Sequence, residues 1–164
     1  MIVIRPVFLL IFIFLFASHS ASDQTQDRVN WITFEQLEDF LGHKPKKTLL
    51  YFTADWCVYC KKMDRNAFKD PEVLQILNKE YYAVKMDVGS RDTIRFDGRE
   101  FYNEQAKTRR NGVHQLPLLL ASRKNKEFSV PVLIILDNNF NQVQRKWTYL
   151  TTQDLKDILT TNHF

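Results

Sequence analysis

Hydrophobic and polar positions follow several distinct rhythms along the chain. Residues 7–17, VFLLIFIFLFA, are continuously apolar behind a lone Arg5 and run into the small residues SHSAS. That layout is the three-part pattern of a secretory signal, with an apolar core short for a membrane span. Cleavage is expected after Ser20 or Ala21; the other reading is an N-terminus retained as an anchor. Residues 21–29, ASDQTQDRV, are polar and predict a loose lead-in. The run TLLYFTA at 48–54 is apolar, aromatic and β-rich, the mark of a strand buried on both faces. Helical spacing follows at once: Trp56, Cys60, Met63 and Ala67 lie four, three and four apart, with Lys61, Lys62 and Arg65 on the opposite side. Asp55 is placed to cap this helix. Cys57 falls near the boundary of the two faces, so Cys60 is predicted buried and Cys57 reachable.

The pattern downstream is equally regular. In DPEVLQILNKE, Asp70 is a cap, Pro71 takes the first helical position, and Val73, Leu74 and Leu77 share a face. Residues 82–88, YAVKMDV, read as a strand, which completes a strand–helix–strand unit with a right-handed parallel crossover. VPVLIILD and NQVQRKWTYL predict a hairpin across Asn138 and Asn139. A final helix opens with the capping pattern Thr151-x-x-Asp154. Between these parts, TIRF-DG-REFY alternates around Asp97-Gly98 and predicts a tight hairpin. NGVHQLPLLLASRK predicts a helix with Leu116, Leu119 and Leu120 toward the core and Pro117 in its first turn or at a kink. His114 reads as a surface or capping residue rather than a catalytic one.

Composition narrows the function. The 164 residues minus a signal at 1–20 suit one domain, expected at 30–164. Removing that signal leaves 22 basic against 19 acidic residues, a mild +3. Lys and Arg are interleaved with Asp and Glu, as in RDTIRFDGRE, so nucleic acid is not indicated. The chain has two cysteines in all, Cys57 and Cys60. Zinc wants four ligands, and beyond His19 only His43, His114 and His163 are on offer. Haem attachment would need His where Lys61 stands. In an oxidising compartment the two cysteines pair with each other or with another protein. As a structural brace the pair closes too short a loop to constrain the unfolded chain much. A cysteine at a helix N-terminus, by contrast, has its thiolate favoured by free amides and the helix dipole. Cys57 can then attack a disulfide and Cys60, on the same surface, can resolve the mixed disulfide.

Trp56-Cys57-Val58-Tyr59-Cys60-Lys61 behind a buried strand, with Val130-Pro131 opening a later one, resembles the thioredoxin superfamily, in particular exported bacterial thioredoxin-like proteins. The resemblance runs from about Trp31 onward. It implies an α/β fold: a central mixed sheet of four or five strands flanked by helices, with a β-hairpin plus helix inserted at about 89–125 before a cis-proline strand. It implies thiol–disulfide exchange through a redox-active disulfide of Cys57 and Cys60, with no cofactor. Trp56, Val130 and Pro131 would contact the substrate, the cis bend leaving Val130 backbone groups free to pair with an extended segment. Implied partners are disulfide-containing proteins and, for a reductase, a membrane electron donor, in the periplasm or a similar extracytoplasmic space.

Several positions depart from that family. Tyr51 stands where thioredoxins carry a buried acid thought to shuttle the proton of the second cysteine, leaving Asp55 as a candidate whose plainer job is capping. Thr148, before Tyr149, stands where many relatives have a glycine facing the groove. Tyr59 reads either as a substrate contact or as an exposed aromatic. Val58-Tyr59 lacks the His that oxidants and isomerases tend to carry there, which tilts the reading toward a reductase. The alternatives are an oxidase or isomerase using the same cysteines, and a non-catalytic binding or chaperone module with a static bridge.

Overall fold

The computed structural model describes residues 27–161. The expected signal and most of the polar lead-in lie outside the described residues. The end of the lead-in is held rather than loose: Val29 is buried, the Lys69 ammonium donates to the Asp27 carbonyl, and the Asn78 side chain binds the Arg28 carbonyl and the Asn30 amide.

The centre of the fold is β2 (Lys47–Thr53), buried from Thr48 onward as its apolar run predicts. β3 (Tyr81–Asp87) lies parallel to it, in register from Lys47 opposite Tyr81 to Thr53 opposite Asp87. Helices α1 (Phe34–His43), α2 (Val58–Arg65) and α3 (Pro71–Glu80) precede β3, with a 3-10 turn at Ala67–Lys69 between the last two. On the other side of β2 runs antiparallel β6 (Val132–Leu136), and β7 (Gln142–Lys146) pairs antiparallel with β6. A two-residue strand, β1 (Trp31–Ile32), lies parallel to β3, so the five-stranded mixed sheet has the order β1-β3-β2-β6-β7. Leu49, Leu50, Tyr51 and Phe52 are fully buried. At about 1.5–3 kcal/mol per large apolar side chain, this strand anchors the core.

Helix ends follow their local chemistry. Asp70 caps α3 by accepting the Glu72 and Val73 amides at 3.0 and 3.2 Å, with Pro71 behind it. α5 (Thr152–Thr160) opens with a reciprocal box between Thr151 and Asp154. α1 has the same device in Thr33 and Gln36. The β6–β7 turn depends on Asp137, whose Oδ1 accepts the Asn139 and Asn141 amides at 2.8 Å each.

The segment between β3 and β6 holds the predicted hairpin and helix. β4 (Ile94–Phe96) and β5 (Arg99–Phe101) pair antiparallel across Asp97 and Gly98, both at positive φ (53° and 66°). Two left-handed residues give the turn whose twist matches the strands, and glycine accepts that conformation without penalty. The hairpin rests on α1 through the Arg95 amide on Glu35 and the Phe96 ring against Phe34. α4 (Gln115–Ala121) has Pro117 as its third residue, where no intrahelical donor is missed. Leu116, Pro117 and Ala121 are buried and Leu120 packs against the core, but Leu119 is 67% exposed. The buried arc is centred between Leu116 and Ala121, and Leu119 falls outside it. No described helix is long and apolar enough to cross a membrane.

Candidate active site

β2 delivers the chain to its carboxyl end at Thr53, and three residues later the backbone turns into α2. The Cys57 amide donates to the Ala54 carbonyl at 2.9 Å, and Val88, just after β3, donates to the Thr53 carbonyl at 2.8 Å. Cys57 itself, not Asp55, is the N-cap of α2: its extended backbone (φ −79°, ψ 102°) leads into the helix, and its Sγ accepts the Cys60 amide at 3.1 Å. Cys57 and Cys60 form a disulfide with Cα atoms 5.2 Å apart. Cys60 is fully buried as predicted. Cys57 is not openly reachable: it is only 4% exposed, because its sulfur turns inward to both the Cys60 amide and the Cys60 sulfur. The outward positions are Trp56, Val58 and Tyr59, at 58%, 71% and 60% exposure. Trp56 therefore stands before the helix and faces out, whereas Met63 and Ala67 share the buried side with Cys60.

Asp55 has a different neighbour from the helix it was expected to cap. Its backbone amide is held by Asp87 Oδ2 at 3.1 Å, and Asp87 Oδ1 takes the Gly89 amide at 2.6 Å. One carboxylate thus joins the loop before α2 to the loop after β3. The sequence reading missed this; its signal was Asp-x-Gly at the end of a strand, a pattern in which the side chain binds the amide two residues on.

Beneath the disulfide, Tyr51 is fully buried and its hydroxyl donates to the Cys60 carbonyl at 3.2 Å. Burial raises its pKa well above the ordinary phenol value, and the Asp64 carboxylate adds to the rise. Tyr51 stays a neutral donor and does not replace an acid as a proton acceptor. The nearby Lys85 ammonium pairs with Asp64 at 2.8 Å and lies over the Trp31 and Tyr51 rings at 5.9 and 5.7 Å.

β6 begins at Val132 opposite Phe52, so Val130 and Pro131 lie beside the end of β2 that leads to Cys57. The Val130–Pro131 peptide is cis. Thr148 is exposed, and the Tyr149 ring next to it sits 5.8 Å from Tyr59 with the Lys62 ammonium 4.9 Å above it. Tyr59 therefore has an aromatic partner on its own surface. A groove of about 720 Å³ brings Trp56 and Val130 together with residues of the β3–β6 segment.

His114 is fully buried rather than on the surface, and it caps: Nδ1 accepts the Leu116 amide at 3.2 Å and Nε2 donates to the Asp92 carbonyl at 3.2 Å. Burial lowers its pKa below the usual imidazole value.

A buried cysteine pair at the mouth of a helix, set at the carboxyl end of a central parallel strand and beside a cis-proline strand, defines a thiol–disulfide oxidoreductase. The chain belongs to the thioredoxin-like family, whose sequence model matches residues 30–138. Among curated proteins it is similar to the thiol:disulfide interchange protein DsbD of Campylobacter jejuni, 32% identical over 108 residues that cover 64% of this chain and 14% of the relative. DsbD of Escherichia coli is 34% identical over 65 residues, 37% of this chain and 11% of that protein. The chain thus spans a small part of the curated relatives it matches. Among solved structures, a DsbH oxidoreductase superposes with a TM-score of 0.54 at 17% identity, covering 80% of this chain and 82% of the other. A thioredoxin from Thermus thermophilus gives 0.54 at 16% identity over 80% and 85%.

Proposed function

We propose that the chain is an exported oxidoreductase that reduces disulfides in extracytoplasmic proteins. The observation that carries the reading is the capping geometry of Cys57. Its sulfur occupies the N-cap of α2 and already accepts a backbone amide, so negative charge on that sulfur is favoured by the helix start in the reduced protein. Cys57 is the nucleophile: its thiolate attacks one sulfur of a client disulfide, forming a mixed disulfide and releasing the other client sulfur as a thiol. Cys60 then loses its proton and attacks Cys57 Sγ. The mixed bond breaks, the second client thiol leaves, and the protein ends with the Cys57–Cys60 disulfide, two electrons and two protons having passed to the client. Trp56, Val130 and Pro131 contact the client segment. Repeated turnover needs an electron donor that restores the dithiol, a membrane protein if the site lies outside the cytoplasm. The DsbD relatives are named for thiol–disulfide interchange, which supports the reaction class. The apolar run at 7–17 supports export, and the absence of His at Val58 and Tyr59 supports the reducing direction.

Two measurements test this. A Cys60→Ser variant should accumulate covalent client complexes through Cys57. Absence of any complex, where a thioredoxin control traps partners, would favour a static bridge and end the enzyme reading. A reduction potential near about −270 mV supports the reductase, whereas one near about −120 mV reverses the direction. Export is checked by sequencing the N-terminus of the protein recovered from a periplasmic fraction.

A further inference from the structure

Val130 reaches the groove on the connection between α4 and β6, residues 122–131. Phe128 and Val130 line the groove; Ser129 between them does not, and its hydroxyl turns instead toward Arg123. Arg123 Nη2 donates to that hydroxyl at 2.9 Å, so a side chain six residues back holds the residue joined to Val130. The connection opens with a turn that begins at Arg123 itself. The Lys126 amide donates to the Arg123 carbonyl at 3.3 Å, and Asn125 takes the left-handed conformation at φ 58°, which asparagine accepts more readily than most residues.

Arg123 is anchored in its turn. Its guanidinium lies over the Trp147 ring, 5.1 Å from the centroid, a contact that leaves its N–H groups free to donate elsewhere. The indole is fixed as well: Trp147 directly follows β7, and its Nε1 donates to the Ala121 carbonyl at the end of α4 at 2.8 Å. Arg145 also lies over this ring, at 5.5 Å, but its Nε is buried without a hydrogen-bond partner among the described residues. The two arginines therefore share an aromatic contact and differ in the bond to Ser129.

Resting on the exchange reading above, we propose that Arg123 is a positioning residue for client binding. Joined to the indole on one side and to the Ser129 hydroxyl on the other, it holds the Phe128 to Val130 wall against which an extended client segment lies. Main-chain pairing at Val130 contributes affinity only when that backbone is kept in one place, because ordering it on binding would cost part of the gain. A small disulfide has no such segment, so Arg123 acts on peptides and proteins alone.

The test uses the full chain, reduced and freed of reductant, with an uncharged peptide holding one intramolecular disulfide and with bis(2-hydroxyethyl) disulfide. Each reduction passes two electrons and two protons from the Cys57/Cys60 dithiol to the substrate. Single-turnover rates against peptide concentration give a half-saturating concentration and a limiting rate. Arg123→Ala should raise the half-saturating concentration about fivefold, as expected for a lost hydrogen bond from a charged donor, and keep the limiting rate and the small-disulfide rate within about twofold. Ser129→Ala removes only the acceptor and should do the same, and it decides the matter if Arg123→Ala fails to fold. The double variant should be no worse than either single one, since both cut the same contact. Arg145→Ala removes an equal charge from the same ring and should leave peptide saturation unchanged. Unaltered saturation in Ser129→Ala, an equal loss in Arg145→Ala, or a matching drop in the small-disulfide rate overturns the proposal. Binding is read separately by anisotropy of a dye-labelled peptide whose cysteines are replaced by serine, titrated with the oxidised protein. If no disulfide reacts while Arg123→Ala and Ser129→Ala still weaken this binding, the exchange reading fails and the role of Arg123 stands; equal binding by every variant overturns that role.

Discussion

Residues 54–60 leave a strand buried on both faces and enter a helix lying over Tyr51, so the site is positioned by contacts distant in sequence. Residues 89–113 meet the groove at Gly89–Asp92 and Arg110–Val113 and combine local ties, a two-residue turn at Asp97 and Gly98, the Asn103 bonds and the close fit of Gly112, with the hairpin's rest on α1. The first region cannot move without disturbing the core. The second can change sequence with little cost to the main sheet, because its side chains are mostly exposed and its hairpin is a separate two-stranded sheet. The cysteine pair therefore lies on the rigid part of the molecule, beside a segment whose surface is free to vary.

That contrast can be broken at either end, beginning with the largest effect. Cys57→Ser should reduce exchange to the uncatalysed background in a disulfide-reduction assay. Serine is a good N-cap, so stability compared under reducing conditions should stay within about 1 kcal/mol. A variant that kept measurable exchange would place the nucleophile elsewhere. Next, Leu50→Ala under the site should cost about 2–5 kcal/mol in denaturant unfolding, since it empties part of the strand that anchors the sheet.

A third effect is pH-dependent and belongs to the β3–β6 segment. His114 has a folded pKa held below its unfolded value of about 6.5 by burial. Below about pH 6.5 the unfolded chain binds a proton that the folded one resists, so stability should fall as pH drops through 6.5 toward the folded pKa, and be unaffected above it. The slope is bounded by about 1.4 kcal/mol per pH unit for one proton. Protonation at Nδ1 also removes the acceptor for the Leu116 amide. His114→Asn keeps a capping oxygen and should flatten the profile between pH 7.5 and 5.5; identical profiles for both proteins would remove His114 from the account. The smallest effect is Gly98→Ala, which places a side chain at φ 66° and should cost about 1 kcal/mol while leaving the reduction of a small uncharged disulfide unchanged.

How much of this the sequence disclosed depended on the range of the contacts involved. β2, α3, the Asp97-Gly98 hairpin and the Thr151 cap follow from short patterns whose physics is local, and all are present. The chain's first helix had an equally local signal in Thr33-x-x-Gln36 that was passed over. The errors came where tertiary contacts decide. Asp55 has the right side chain for a cap, but its amide is taken by Asp87 from another strand, and the cap falls to Cys57. Trp56 fits a helical stripe by spacing yet precedes the helix and faces solvent. His114, read as a surface or capping residue, does cap α4; only the surface alternative fails, because the loop around Asp92 closes over it. Leu119 belongs to an apolar run in which the positions of Pro117 and Ala121 set the buried arc. The cysteine pair was legible because its chemistry needs only a spacing and a helix start. The Asp87 link was not, since it joins loops that only the folded sheet brings together.

The atom that closes the first turn of α2 is also, in the proposed reaction, the atom whose bond is made and broken in each cycle. In the proposed cycle the Cys60 amide proton points at a sulfur that alternates between the disulfide and the reduced form. Its chemical shift and solvent-exchange rate should track the oxidation state residue by residue, giving a spectroscopic gauge of the redox couple without any added probe.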